Sequence, residues 1–240
     1  MSEHVGGAPA PRVDVHHVDQ LSDALRGAGV AADRVVMVLV GGAGGMGEQD
    51  LRAVADVVRT ALLPVIARHD AVVVDGGTDS GVMRLIGRAR SAAAAEFPLL
   101  GVAATGTVII PGGGEPEWSD AAPLEPNHTL FVLVPGAEWG DEAPWIGEVA
   151  SVVAGARPSV TVLINGGQIA YDDAAGSLRQ GRPVVVLAGT GRTADAIATA
   201  RTSGGGDPRA VEIAASALTT IADVAEPDAV RAALEAALTS

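Results

Sequence analysis

The chain has 240 residues and no cysteine, and its 16 basic residues, all arginine, face 29 carboxylates for a formal net charge of −13. Disulfides, thiol nucleophiles, iron–sulfur clusters and Cys-ligated zinc are thereby excluded, as are a Schiff-base lysine and a Walker A loop. An acidic surface repels a phosphate backbone, and 2% aromatics offer no stacking platform, so a nucleic-acid polymer is not an expected partner.

Residues 1–17, with Gly6, Gly7, Pro9 and Pro11, read as a flexible arm. No basic start runs into an apolar stretch there, so no signal peptide is expected, and Phe97–Gly114 has too many breakers for a membrane helix. The expectation is a cytoplasmic protein without membrane attachment. A short helix is predicted over Asp19–Arg26, stopped by Gly27 and Gly29.

A repeating theme follows. An apolar run rich in Val and Ile ends in a turn, usually glycine-bearing, and a helical stretch comes next. The first run is Val35–Val40, with a Gly41–Gly47 turn and a helix over Gln49–Ala67. The second is Ala71–Val74, with Asp75–Met83 and a helix to about Ala95. Leu99–Ala104 runs into Thr105 and Gly106, then a loop through Gly112–Pro126. Thr129–Val134 precedes a helix over Ile146–Ala154. Ser159–Ile164 meets Asn165–Gly167 and a helix ending near Gly181; Pro183–Leu187 meets Gly189–Arg192 and a helix over Ala194–Ala200. Residues 202–207 read as a linker, and 209–238 as a helical segment packed on the same domain, with a further strand at Ala217–Ile221.

Continuously apolar strands are those buried on both faces, and their alternation with helices predicts an α/β fold: a doubly wound, mostly parallel sheet with helices on both faces, over residues 18–201. In such sheets ligands bind at the carboxyl ends of the strands, where most of the glycines fall here. Glycine lets backbone approach a ligand closely, and helix-start amides hold anions. Phosphate binding then needs no lysine.

Each turn has two readings. Gly41, Gly42, Gly44, Gly45 and Met46 form either a structural turn or a phosphate site. Gly76, Gly77, Thr78, Asp79 and Ser80 offer hydroxyls that cap the next helix or donate to a phosphate or ribose. Gly189, Thr190 and Gly191 precede Arg192, whose guanidinium suits a phosphate, with Asp195 as a local anchor and Arg84 as a second cation. His128 is either a hydrogen-bonded structural residue or a pocket residue. Trp139 and Trp145 either pack the loop or stack on a base. The remaining histidines are scattered, so no metal site is predicted, and no Gly-x-Ser-x-Gly elbow occurs.

Taken in order, Asp75–Met83, Asn127–Val134, Trp139–Gly140 and Pro183–Ala196 resemble the SLOG superfamily. They are most similar to bacterial relatives (LSDAT type) of the nucleotide-sensing region of TRPM channels, over residues 33–200. The resemblance implies a Rossmann-like domain holding a small nucleotide-type ligand, ADP-ribose or NAD-related, as a sensor module with no further cofactor. It also implies Asn127, His128, Asn165, Gly166, Gly167, Thr105 and Gly106 in the pocket, and a homodimer or a separate effector protein as partner. Other relatives are phosphoribohydrolases with a Pro-Gly-Gly-x-Gly-Thr-x-x-Glu motif. The matching place, Asn165–Asp173, keeps Gly166 and Gly167 but has Ile169-Ala170 for Gly-Thr and Asp173 for Glu. That departure favours binding over catalysis. The alternative is an N-glycosidic hydrolase, with Asp173 or Glu148 as the candidate acid/base.

Overall fold

A computed structural model describes residues 10–42, 46–110 and 120–239. Its elements are β1 (Arg12–Asp14), α1 (Leu21–Gly27), β2 (Val36–Gly41), α2 (Glu48–Val57), α3 (Leu63–His69), β3 (Val72–Asp75), α4 (Gly81–Ala92), β4 (Leu99–Ala104), β5 (Val108–Ile109) and β6 (Ala122–Pro123). They continue with β7 (Leu130–Val134), α5 (Ala143–Ala154), β8 (Ser159–Ile164), α6 (Ile169–Arg179), β9 (Val184–Ala188), α7 (Arg192–Ser203), α8 (Pro208–Ala215), β10 (Thr219–Asp223) and α9 (Pro227–Thr239). Eight strands form one sheet in the order β1-β7-β4-β3-β2-β8-β9-β10, with every pairing parallel.

The pleat sorts the strands between two large cores, while Ala103, Phe131 and Leu133 join Val108 in a smaller third one. Val36, Val38 and Val40 face the layer of α1, α5, α6, α7 and α8, and Met37 and Leu39 face α2, α3, α4 and α9. Both faces are therefore covered, which is why the runs are continuously apolar. From β2 the chain steps outward through β3, β4 and β7; from β8 it steps the other way through β9 and β10. The direction reverses between β2 and β8, and the strand ends there open the crevice that α/β sheets use for ligands.

Three features differ from expectation. Residues 12–14, read as part of a loose arm, pair with Phe131–Leu133 as an edge strand. Three residues carry almost no periodic signal, and backbone pairing plus the buried Val15 hold them. The last strand is Thr219–Asp223 and adds to the sheet beside β9. The helix expected over Gln49–Ala67 is α2 and α3 joined by a π turn at Val58–Leu62. Pro64 explains the break: it lacks the N–H that would bond to Thr60. The Thr60 carbonyl instead accepts from Arg231 of α9, 3.4 Å away. Among the described residues no helix is long and apolar enough to cross a membrane.

Candidate functional site

At the reversal point, β2 and β8 end in bare backbone. A side chain on Gly41 would strike the Ile164 carbonyl, and a Cβ on Gly42 would lie 2.9 Å from Asn165 Oδ1. Asn165 takes a left-handed conformation at φ 57°, which asparagine tolerates better than most residues. It fastens the β8 turn to the β9 turn: its backbone N–H donates to Thr190 Oγ1 (2.7 Å) and its Nδ2 to the Thr190 carbonyl (2.8 Å). Thr190 is fully buried and donates to Leu187 O. Asp195 accepts from Gly189 N (2.7 Å), so it anchors the turn's backbone. Arg192 opens α7 at φ 49° and lays its guanidinium over Gly167, where a Cβ would come within 3.2 Å of it.

The β3 turn is fastened from below. Asp75 Oδ1 accepts from Gly77 N (2.7 Å) and from His128 Nε2 (2.9 Å). His128 Nδ1 contacts Glu125 Oε2 at 2.9 Å. Each ring nitrogen thus faces a carboxylate oxygen, so both donate and the ring is an imidazolium. Burial works against that charge, but Asp75 and Glu125 outweigh it and raise the His128 pKa to about 9. Glu125 also accepts from Asn127 N and Nδ2 and packs against Gly87 of α4. Ser80 sits at the N-cap of α4 without capping it; its hydroxyl meets Thr78 Oγ1 instead, at 3.1 Å. Asp79 pairs with Arg84.

Of the predicted residues, Gly41, Gly42, Gly76, Thr78, Gly167 and Arg192 converge on one cavity of about 250 Å³ at the strand ends. Trp139, Glu142, Ile169 and Asp173 complete its wall. A groove of about 610 Å³ between α5 and α6 adjoins it and shares Trp139, Ile146, Ile169 and Asp173. Glu148 lines only this groove and accepts from Gln180. Gly77, Gly166, Gly189, Thr190 and Gly191 shape the turns without lining the cavity, and Met46 packs on the core. Asn127 and His128 brace the β3 turn from beneath, and Thr105–Thr107 form a separate turn held by Gly106 N to Gly136 O. Gly44 and Gly45 lie outside the described residues.

Three acceptors of the residues just described lack a partner among the described residues: Asp75 Oδ2 under the β3 turn, Asn165 Oδ1, beside Gly42, and Asp173 Oδ1. Burial, reinforced by Glu142 and Asp172, pushes the Asp173 pKa up to about 7. Burial likewise raises Glu142. Among the described residues no three His, Asp or Glu side chains are grouped to hold a metal. Glu125 and Glu142 escape a reading by motif, because neither stands in a patterned context. A lone carboxylate just ahead of Asn-His was the available signal for the first.

A family model described as SLOG in TRPM, prokaryote, matches residues 34–233. The transient receptor potential cation channel subfamily M member 2 of Mus musculus is 28% identical over 180 residues, which is 61% of this chain and 12% of the channel. Its counterpart in Rattus norvegicus is 27% identical over 176 residues, 59% of this chain and again 12% of the channel. The similarity therefore spans about an eighth of these relatives' own length.

Proposed function

The chain belongs to the prokaryotic SLOG-in-TRPM family, and from that premise we propose that it binds a nucleotide-derived ligand of the ADP-ribose or NAD class as a cytoplasmic sensor module. One observation carries this reading: three glycine-bearing or hydroxyl-bearing strand ends, of β2, β3 and β8, and Arg192 surround a single cavity at the reversal point of the sheet. Backbone amides at Gly41–Gly42 and Gly167, with the Arg192 guanidinium, suit a diphosphate. The signal passes on through self-association or a separate effector protein, which native mass spectrometry of the purified chain reports together with any retained nucleotide.

The test is a thermal-shift panel. Ligand at 100 times its dissociation constant stabilises by about 2.7 kcal/mol, a shift of several degrees. ADP-ribose or NAD is expected to raise the melting temperature. No shift with any nucleotide at millimolar concentration overturns the proposal.

A second reading rests on Asp173. A carboxyl group with a pKa of about 7 where the strand-end cavity meets the α5–α6 groove has the proton affinity of a general acid/base near neutrality. An N-glycosidic hydrolase would release free base or nicotinamide, and Asp173→Asn would abolish the release. Prolonged incubation with intact ligand recovered excludes it.

A further inference from the structure

Asp173 stands on the first turns of α6 where the strand-end cavity and the α5–α6 groove meet. Its Oδ1 is closed off from solvent and has no hydrogen-bond partner among the described residues. A buried acceptor left so is costly unless something else supplies the donor or the charge.

The two compartments differ in sign. The strand-end side has Arg192 and bare glycine backbone, opposed by Glu142 and Asp173. The groove is lined by Glu148 from α5, Asp172 and Asp173 from α6, and Arg179; behind the lining Arg182 faces Glu148 and Arg209 faces Asp172, which leaves Asp173 as the carboxylate without a facing cation among the described residues. Trp139 lines both and is 39% exposed, an unusual placement for a large aromatic side chain. An anionic group is therefore favoured toward Arg192 and disfavoured in the groove. A cation meets carboxylates there, which attract it, with the Trp139 indole at the boundary, its Nε1 donating to Asp120.

Size points the same way. Ligand pockets run from roughly 300 to 1,000 Å³. The strand-end cavity, at about 250 Å³, falls short alone, and the groove of about 610 Å³ brings the site within that range.

We propose that the α5–α6 groove seats a cationic heteroaromatic group, the pyridinium of an oxidised dinucleotide whose diphosphate rests on the glycine turns. This deepens the ligand class proposed above and rests on it. It makes the site sensitive to oxidation state, because the reduced ring carries no positive charge.

Calorimetric titration of the full chain with NAD+, NADH and ADP-ribose tests it. At pH 8 the oxidised form is expected to bind about tenfold more tightly than the reduced, as for an interaction equivalent to one pKa unit. The preference should shrink at pH 6, where Asp173 carries a proton and the groove loses one negative charge. Asp173→Asn should bring the two affinities together. Glu148→Gln, at a more exposed position, should narrow the gap independently and covers the case in which the first variant misfolds. Equal affinity for NAD+ and NADH, with ADP-ribose still bound, overturns the inference and leaves the nucleotide reading intact. Failure of all three to bind overturns both.

Discussion

His128 and Asp75, separated by 53 positions in the chain, meet at 2.9 Å with neither side chain exposed. The contact joins the approach to β7 to the end of β3, so the turn at Gly76–Thr78 hangs from a buried ion pair. Glu125 holds the other ring nitrogen. Two carboxylates thus share one imidazolium, which is what maintains the charge despite burial.

A pH dependence of stability follows. The folded pKa of about 9 lies above the ordinary histidine value, near 6.5. The protonated ring therefore stabilises the fold fully below about pH 6.5, and that contribution fades as pH rises through about 9. Melting temperatures from pH 6 to 9.5 should fall across this window, and the slope should flatten in His128→Asn. At pH 7, His128→Ala should cost about 3–5 kcal/mol by leaving two buried carboxylates without their cation.

Gly77 has φ 68°, and a Cβ there would sit 2.9 Å from Gly101 Cα and 3.1 Å from the Phe131 ring. Gly77→Ala should therefore destabilise by about 1–3 kcal/mol, from strain and overpacking together. Urea denaturation should show a lower midpoint with an unchanged slope.

Asp173→Asn should stabilise the ligand-free protein at pH 8. Burial and two neighbouring carboxylates raise the folded pKa to about 7, so the fold favours the protonated acid. That preference is fully satisfied below about pH 4 and lost as pH rises through 7. The variant should gain about one to a few kcal/mol relative to the parent at pH 8 and less at pH 5. A gain equal at both values would refute the assignment.

Arg192→Ala should weaken ADP-ribose binding about 10- to 100-fold, the usual worth of a charge-assisted hydrogen bond. Calorimetry gives the ratio directly. Binding unaltered by the change would place the phosphates elsewhere.

Removing residues 204–240 should abolish cooperative folding. The cut deletes β10, which pairs along its whole length with β9, and the buried Val230, Leu234 and Leu238 of α9. Each such side chain contributes about 1.5–3 kcal/mol, against a total stability of about 5–15 kcal/mol. Circular dichroism with a broad, featureless melt is the expected result.

Six strands were legible because burial on both faces leaves an uninterrupted apolar run, such as Val35–Val40; residues 61–67 are equally continuous but helical, and their place in a longer amphipathic stretch sets them apart. Arg12–Asp14 was not, since three residues at an edge have neither length nor alternation. The glycine turns were legible as backbone, and Arg192 as their cation. Asn127 and His128 stood out as a pair, but the sequence could not distinguish facing the cavity from bracing it. That distinction depends on Asp75 and Glu125, whose convergence on one ring is purely tertiary. Asp173 entered through motif correspondence alone; its orphaned oxygen and its place between two cavities arise from the packing of α5 against α6.

The π turn at Val58–Leu62 has a consequence for comparing sequences. A π turn closes its hydrogen-bonded ring with one more residue than an α turn, so it accommodates an insertion while the apolar faces on either side still meet the sheet. Relatives with an unbroken helix should align with a one-residue gap inside Val58–Leu62, not at the helix ends. They should also have a residue other than proline in place of Pro64. Where that gap occurs, the Thr60 carbonyl no longer accepts from Arg231, which keeps its ion pair with Asp228 on α9.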